Sequence, residues 1–198
     1  PLTAHADPAP KPAVHVAFSG IAGECYGTLL SQQPSTGPAW AVEDPDRLLT
    51  EEEEAALQGQ LESDGITRDI WEAFVRYEDT DGFYYLQETW HCSDESGINW
   101  TYYPPNTFKV LLYFPQTDAF LASDICKTYA FHSYYSVVVA EDFLTAERDY
   151  PYGSEVLSLL CRIVITVALE IGLALLFALR EKKVLLAILA ANAVTQIA

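Results

Sequence analysis

A carboxylate inside an apolar run is the most chemically loaded feature of this sequence. Between Val156 and Leu179 there are 24 residues, of which only Arg162 and Glu170 are charged. An ionisable side chain in hydrocarbon is costly, and it marks either a proton, ion or substrate path or a polar contact between helices. Arg162 is close enough to the start of the run to extend its guanidinium to the headgroups. Glu170 is not, because it precedes Arg180 by ten residues, about 15 Å of helix. A second apolar stretch, 184–198, places Asn192 nine residues after Lys183, about 13.5 Å from the same end. Antiparallel spans therefore bring Glu170 and Asn192 to one depth, with Thr166, Thr195 and Gln196 extending the polar seam. Two readings stay open: a hydrogen-bonded helix contact, and a seam that titrates or touches substrate.

The next carboxylates lie at Tyr77-Glu78-Asp79-Thr80-Asp81-Gly82 and Glu88. Laid on the calcium-loop pattern of about twelve residues, Asp79, Asp81 and Glu88 fall at its third, fifth and last residues, which are ligand positions, and Gly82 at its tight turn. Tyr77 occupies the first position, where a carboxylate is needed. The stretch after Gly82 has a strand pattern where a calcium loop has a helix, so the expected role of Asp-x-Asp-Gly is a helix-to-strand turn, with calcium as the alternative. No other cofactor is expected. His91, Cys92, Asp94 and Glu95 are metal-competent types, but their crowding lacks the separated geometry of a tetrahedral site. His132 stands among aromatics, and no nucleophile, zinc-protease or phosphate-loop motif occurs. Cys25, Cys92 and Cys126 are candidates for one disulfide, with three pairings open. Asn99-Trp100-Thr101 is a glycosylation sequon. Trp100, Tyr102 and Tyr103 read first as core aromatics and second as a platform for a glycan.

These residues need elements to hold them. The run 156–179 is about 36 Å as a helix, enough to cross a hydrocarbon core of about 30 Å. Residues 180–183 (Arg-Glu-Lys-Lys) form a charged turn, and 184–198 an incomplete second span. Basic residues stay in the cytoplasm, so residues before the first span are expected outside. The Ala4-x-Ala6 pattern agrees, making 1–6 the remnant of a signal peptide, followed by a Pro-rich linker at 7–13. Residues 1–155 hold 7 of the 11 basic side chains and 26 of the 28 acidic ones. Such a field repels phosphates, which excludes nucleic acid as a partner and leaves membrane lipids around the spans and a protein partner in the membrane or outside.

Within 14–150 the expected fold class is α+β: an extracytoplasmic antiparallel β-sandwich-like domain with two inserted helices, followed by the transmembrane hairpin. Val14–Phe18 and Cys25–Leu30 read as a β-hairpin. Thr50 with Glu53 forms a capping box, and Ser63-Asp64-Gly65 ends that helix. A second helix, Arg68 to Tyr77, shows Ile70, Trp71, Phe74 and Val75 on one face. Strands follow at 83–90, 98–103, 108–114, 119–123 and 134–140, separated by Pro- and Asp-containing turns.

The phrases CYGTLLSQQPSTGP, WEAFVRYEDTDGFYYLQ, YYPPNTFKVLLYFP and ALLFALREKKVLLAILAANAVTQI resemble a family of uncharacterised Gram-positive, clostridial-type membrane proteins. That resemblance implies a signal peptide, an exterior domain and several membrane helices, and carries no activity or catalytic residue. The expected function is a non-enzymatic, membrane-anchored extracytoplasmic binding or sensing module. The alternative is a membrane-embedded transporter or enzyme component working through Glu170, Asn192 and Gln196.

Overall fold

The computed structural model describes residues 10–34 and 48–176, and the chain divides into two units at Tyr150/Pro151. The first unit is α+β. Strands β1 (Ala13–Ser19), β5 (Ile98–Thr101), β9 (His132–Val139) and β10 (Leu144–Arg148) form one sheet in the order β10-β9-β1-β5. A second sheet is centred on β2 (Cys25–Ser31) and β6 (Thr107–Phe114). Two short strands, β3 (Tyr84–Tyr85) and β4 (Trp90–Cys92), share the outer edge of β2. The outer edge of β6 is likewise shared by β7 (Ala119–Ala122) and β8 (Cys126–Lys127).

Helices α1 (Glu51–Asp64) and α2 (Arg68–Arg76) enter between β2 and β3 and cover the second sheet, making three layers. Val14, Val16, Leu29, Val110, Leu112 and Val137 join the core between the sheets. Leu57, Leu61, Ile70, Trp71 and Phe74 bury the other face, against Leu30, Leu111 and Tyr113. The second sheet is thus the middle layer. This is why β2 is buried along its whole length and why β6 reads FKVLLYF with no alternation: both faces of each strand are covered.

Local signals set the helix ends. Thr50 Oγ1 accepts from the Glu53 amide at 3.3 Å, Thr50 N donates to Glu53 Oε2 at 2.8 Å, and Gly65 closes α1 in the left-handed conformation. These contacts satisfy amides that the first turn leaves without intrahelical partners. Thr50→Ala is expected to lower stability by about 1 kcal/mol, read as a lower urea midpoint. Thr67 precedes α2 without a side-chain cap bond, and α2 depends instead on its buried Ile70, Trp71 and Phe74.

Two expectations about strands are corrected. Val14–Phe18 and Cys25–Leu30 do not form a hairpin: β1 pairs antiparallel with β5 and parallel with β9, while β2 belongs to the other sheet. Between them the chain changes layer through Gly20 and Gly23, both at positive φ, and Asp94 holds the crossing by accepting from the Gly20 and Ile21 amides at 3.2 and 2.9 Å. The continuous strand expected over 83–90 is two short ones, separated where Gln87 turns to φ +68°.

The second unit contains α3 (Tyr152–Leu176), whose Val156–Leu173 segment has a mean hydropathy of 2.2. It is long and apolar enough to cross a membrane. The Thr166 hydroxyl donates back to the Arg162 carbonyl at 2.9 Å, so its own helix already satisfies it. Asn192, Thr195, Gln196, the 180–183 turn, the second span and the 1–6 segment lie outside the described residues.

Candidate functional site

The acidic turn that resembled a calcium loop already holds a cation from the protein. Lys109, on the helix-facing side of β6, donates to Asp79 Oδ1 and Oδ2 at 2.9 and 3.1 Å, and its Nζ lies 2.5 Å from Asp81 Oδ2. Asp79 Oδ2 also accepts from the Asp81 and Phe83 amides, and the Gly82 amide closes the turn onto the Asp79 carbonyl. Burial works to raise the Asp79 pKa. The ammonium and the two amides outweigh it, so the carboxyl sits below its ordinary value. Asp-x-Asp-Gly is therefore a helix-to-strand turn, fastened to the middle sheet by a buried lysine. Glu88 lines a cleft that neither Asp79 nor Asp81 borders.

That cleft has a volume of about 750 Å³. Residues 31–34 at and beyond the end of β2, Gln60 of α1, residues 86–88 between β3 and β4, Trp100 of β5 and residues 103–107 leading into β6 form its walls. Gln87 is its best-anchored part. Gln60 Nε2 donates to the Gln87 carbonyl at 2.5 Å, and Trp71 Nε1 donates to Gln87 Oε1 at 2.8 Å. Thr28 Oγ1 donates to the Glu88 carbonyl at 2.6 Å. Both helices and β2 thereby fix one wall. On the opposite side, Thr128 pins the 104–106 loop, its hydroxyl to the Pro105 carbonyl at 2.9 Å and its amide to the Asn106 carbonyl at 3.0 Å.

The lining is mostly neutral and hydrogen-bonding. Gln32, Gln33 and Asn106 bring amides, Ser31, Thr107 and Thr128 hydroxyls, and Glu88 a carboxyl. Burial, and then the negative charge of Asp64, raises the Glu88 pKa; burial raises Asp64 as well, with the Gln60 amide opposing. Trp100 is buried, tilted against Trp90 at 5.2 Å, whereas Tyr102 and Tyr103 are 59% and 84% exposed.

Backbone geometry singles out the same region. Among the described residues, Gln87, Tyr102, Tyr103 and Asp118 are the non-glycine residues with positive φ. Gln87 and Tyr103 line the cleft and Tyr102 adjoins it. A bulky side chain in the left-handed region is unfavourable, by about 1–3 kcal/mol per residue, and such residues persist where the surrounding structure enforces them.

Comparison with protein-family models, curated proteins and solved structures finds no match to this chain.

The other sequence candidates fall in separate places. His91 packs edge-on against Tyr26, Asp94 braces the β1–β2 crossing, and Glu95 belongs to a turn around Ser93. His132 packs beside His15 and Phe131. Asn99 is exposed on β5, so its sequon is accessible. Cys25, Cys92 and Cys126 are buried thiols. Sequence reasoning missed Gln60 and Gln87, since isolated glutamines carry no spacing signal. Tyr103 was visible as a glycan-platform aromatic, and Pro104-Pro105 marked its loop.

Proposed function

We propose that the chain is a membrane-anchored extracytoplasmic binding module whose cleft takes a neutral, hydroxyl-rich ligand of the oligosaccharide class. The observation that carries this reading is the collection of left-handed, non-glycine residues at one cleft. The fold holds Gln87, Tyr102 and Tyr103 in costly conformations at the same site, and strain of that kind gathers at ligand contacts. The size fits, because small-molecule sites span about 300–1,000 Å³. Amides and hydroxyls match sugar hydroxyls, since each group both donates and accepts. Tyr103 offers a ring face at the small entropic cost of two side-chain torsions. The strongly acidic unit disfavours anionic ligands. Anchoring is supported by α3, and the outward orientation by the basic residues Arg180, Lys182 and Lys183 that follow the apolar run in the sequence.

Saturation-transfer NMR on the full chain in nanodiscs tests the reading, using neutral trisaccharides alongside their sulfated counterparts. The expected result is transfer to a neutral sugar, weakened about tenfold by Tyr103→Ala, a loss of about 1.4 kcal/mol. Transfer to no neutral sugar, or equal transfer in wild type and variant, would remove the assignment.

A further inference from the structure

We infer that Cys25 and Cys92 are a disulfide-forming pair that ties the edge strand β4 to the middle sheet and closes a covalent loop around the helical layer. The register is the basis. Cys25 and Cys92 are directly opposite partners in the antiparallel β2–β4 pair. Opposite residues in such pairs have α-carbons about 4.5–5.5 Å apart, inside the disulfide range of about 4.4–6.8 Å. Both side chains enter the core between the sheets, so they point the same way. Cys92 Sγ packs over Gly27, next along that face of β2: a β-carbon there would come within 2.8 Å of the sulfur and 2.7 Å of Leu112 Cδ2.

The same register removes the other pairings of the first unit. Cys126 is opposite Phe108, which is opposite Ser31 on its other side. Cys25 is six residues from Ser31, about 20 Å along the strand, and Cys126 is two strand spacings away, about 10 Å more.

Chemically, the bond forms by thiol–disulfide exchange with a small oxidised disulfide such as oxidised glutathione. Cys92, on the three-residue edge strand, loses its proton when β4 opens, and its thiolate attacks one glutathione sulfur, releasing one glutathione thiolate. The Cys25 thiolate then attacks the Cys92 sulfur and displaces the second. Two protein thiols are oxidised to one disulfide, and one oxidised glutathione is reduced to two thiols. Burial pushes the Cys25 thiol up to about 12 and raises Cys92 too, so the exchange is slow in the closed sheet and proceeds through opening or during folding.

The closed loop runs from Cys25 to Cys92 and encloses α1, α2, β3 and the cleft wall made by Gln60, Leu86, Gln87 and Glu88. Cross-linking removes freedom from the unfolded chain over that whole segment. The test is to incubate the full chain in detergent with oxidised glutathione, with intact mass, non-reducing peptide mapping and thermal melting as readouts. Expected are the loss of two hydrogen atoms, a linked pair of peptides carrying Cys25 and Cys92, and a Tm raised by roughly 5–10 °C and restored by dithiothreitol. Cys126→Ser should keep the link, while Cys25→Ser should abolish it. Glutathione adducts remaining on both Cys25 and Cys92, or a link from either to Cys126, would overturn the inference. A Cys25–Cys92 link that leaves Tm unchanged would overturn the clamp.

Discussion

Lys109→Met is expected to destabilise the first unit by about 3–5 kcal/mol, the cost of leaving a buried carboxylate without its counter-ion. The side chains of Lys109 and Asp79 are 6% and 1% exposed, so water cannot take over when the ammonium is lost. Methionine keeps most of the lysine stem's packing against the middle sheet, which isolates the charge effect. Asp79 would retain the amides of Asp81 and Phe83, but burial would then work against a charge that no cation offsets. Adding Asp79→Asn should recover much of the loss, because removing both charges also removes the desolvation penalty. Urea denaturation followed by tryptophan fluorescence reads both variants. A Lys109→Met midpoint within error of wild type would refute this account of the turn.

The same pair sets an acid signature. Asp79 has a lowered folded-state pKa, so its stabilisation is present above the unfolded carboxyl value of about 3.9 and is lost as pH falls through the folded value. In Lys109→Met the opposing influence of burial dominates, and protonation relieves it. The stability gap between wild type and Lys109→Met should therefore narrow from pH 7 to pH 3. At the alkaline end burial works to lower Lys109, while the Asp81 and Asp79 carboxylates outweigh it and raise it. Its contribution is then complete below the unfolded lysine value, about 10.4, and disappears only above that.

What was legible in the sequence follows the range of the interactions. Thr50 and Glu53 lie three residues apart, and their capping box is present; the apolar face of α2 is buried as its spacing required. Asp79 and Gly82 made a turn for the same local reason. The partner of β1 was not legible. Alternation in VHVAF assigns two faces but names no neighbour, and the parallel neighbour, β9, begins more than a hundred residues later. The continuous burial of β2 and β6 was visible as apolar runs, yet a run cannot say that helices lie on one side and a sheet on the other. The cleft was the least legible feature. The left-handed turns at Gln87, Tyr102 and Tyr103 carry no glycine or asparagine to announce them, because tertiary contacts such as Trp71 to Gln87 impose them.

Two glycine-to-alanine changes test how the layers are held, and they should move stability in opposite directions. At Gly97, a β-carbon would lie 1.9 Å from the Val16 carbonyl oxygen and 3.0 Å from its carbon. Those atoms are backbone of β1, which is paired to β5 on one side and β9 on the other, so the obstacle cannot swing away as a side chain would. Gly97→Ala must therefore shift β1 or unpair the start of β5, and is expected to cost about 3 kcal/mol or more. At Gly59, inside α1, the added carbon meets nothing within 4 Å, and only the helix preference remains. Gly59→Ala should accordingly stabilise by about 0.5–1 kcal/mol. Because both substitutions add the same methyl group, a shared generic effect would move both midpoints alike. Opposite movements in urea denaturation identify the contact between Gly97 and β1 as the constraint that fixes β5, and with it Trp100, against the rest of the sheet. A neutral Gly97→Ala would mean that the β1–β5 edge has slack, and that the Trp100 wall of the cleft is held by something other than this close approach.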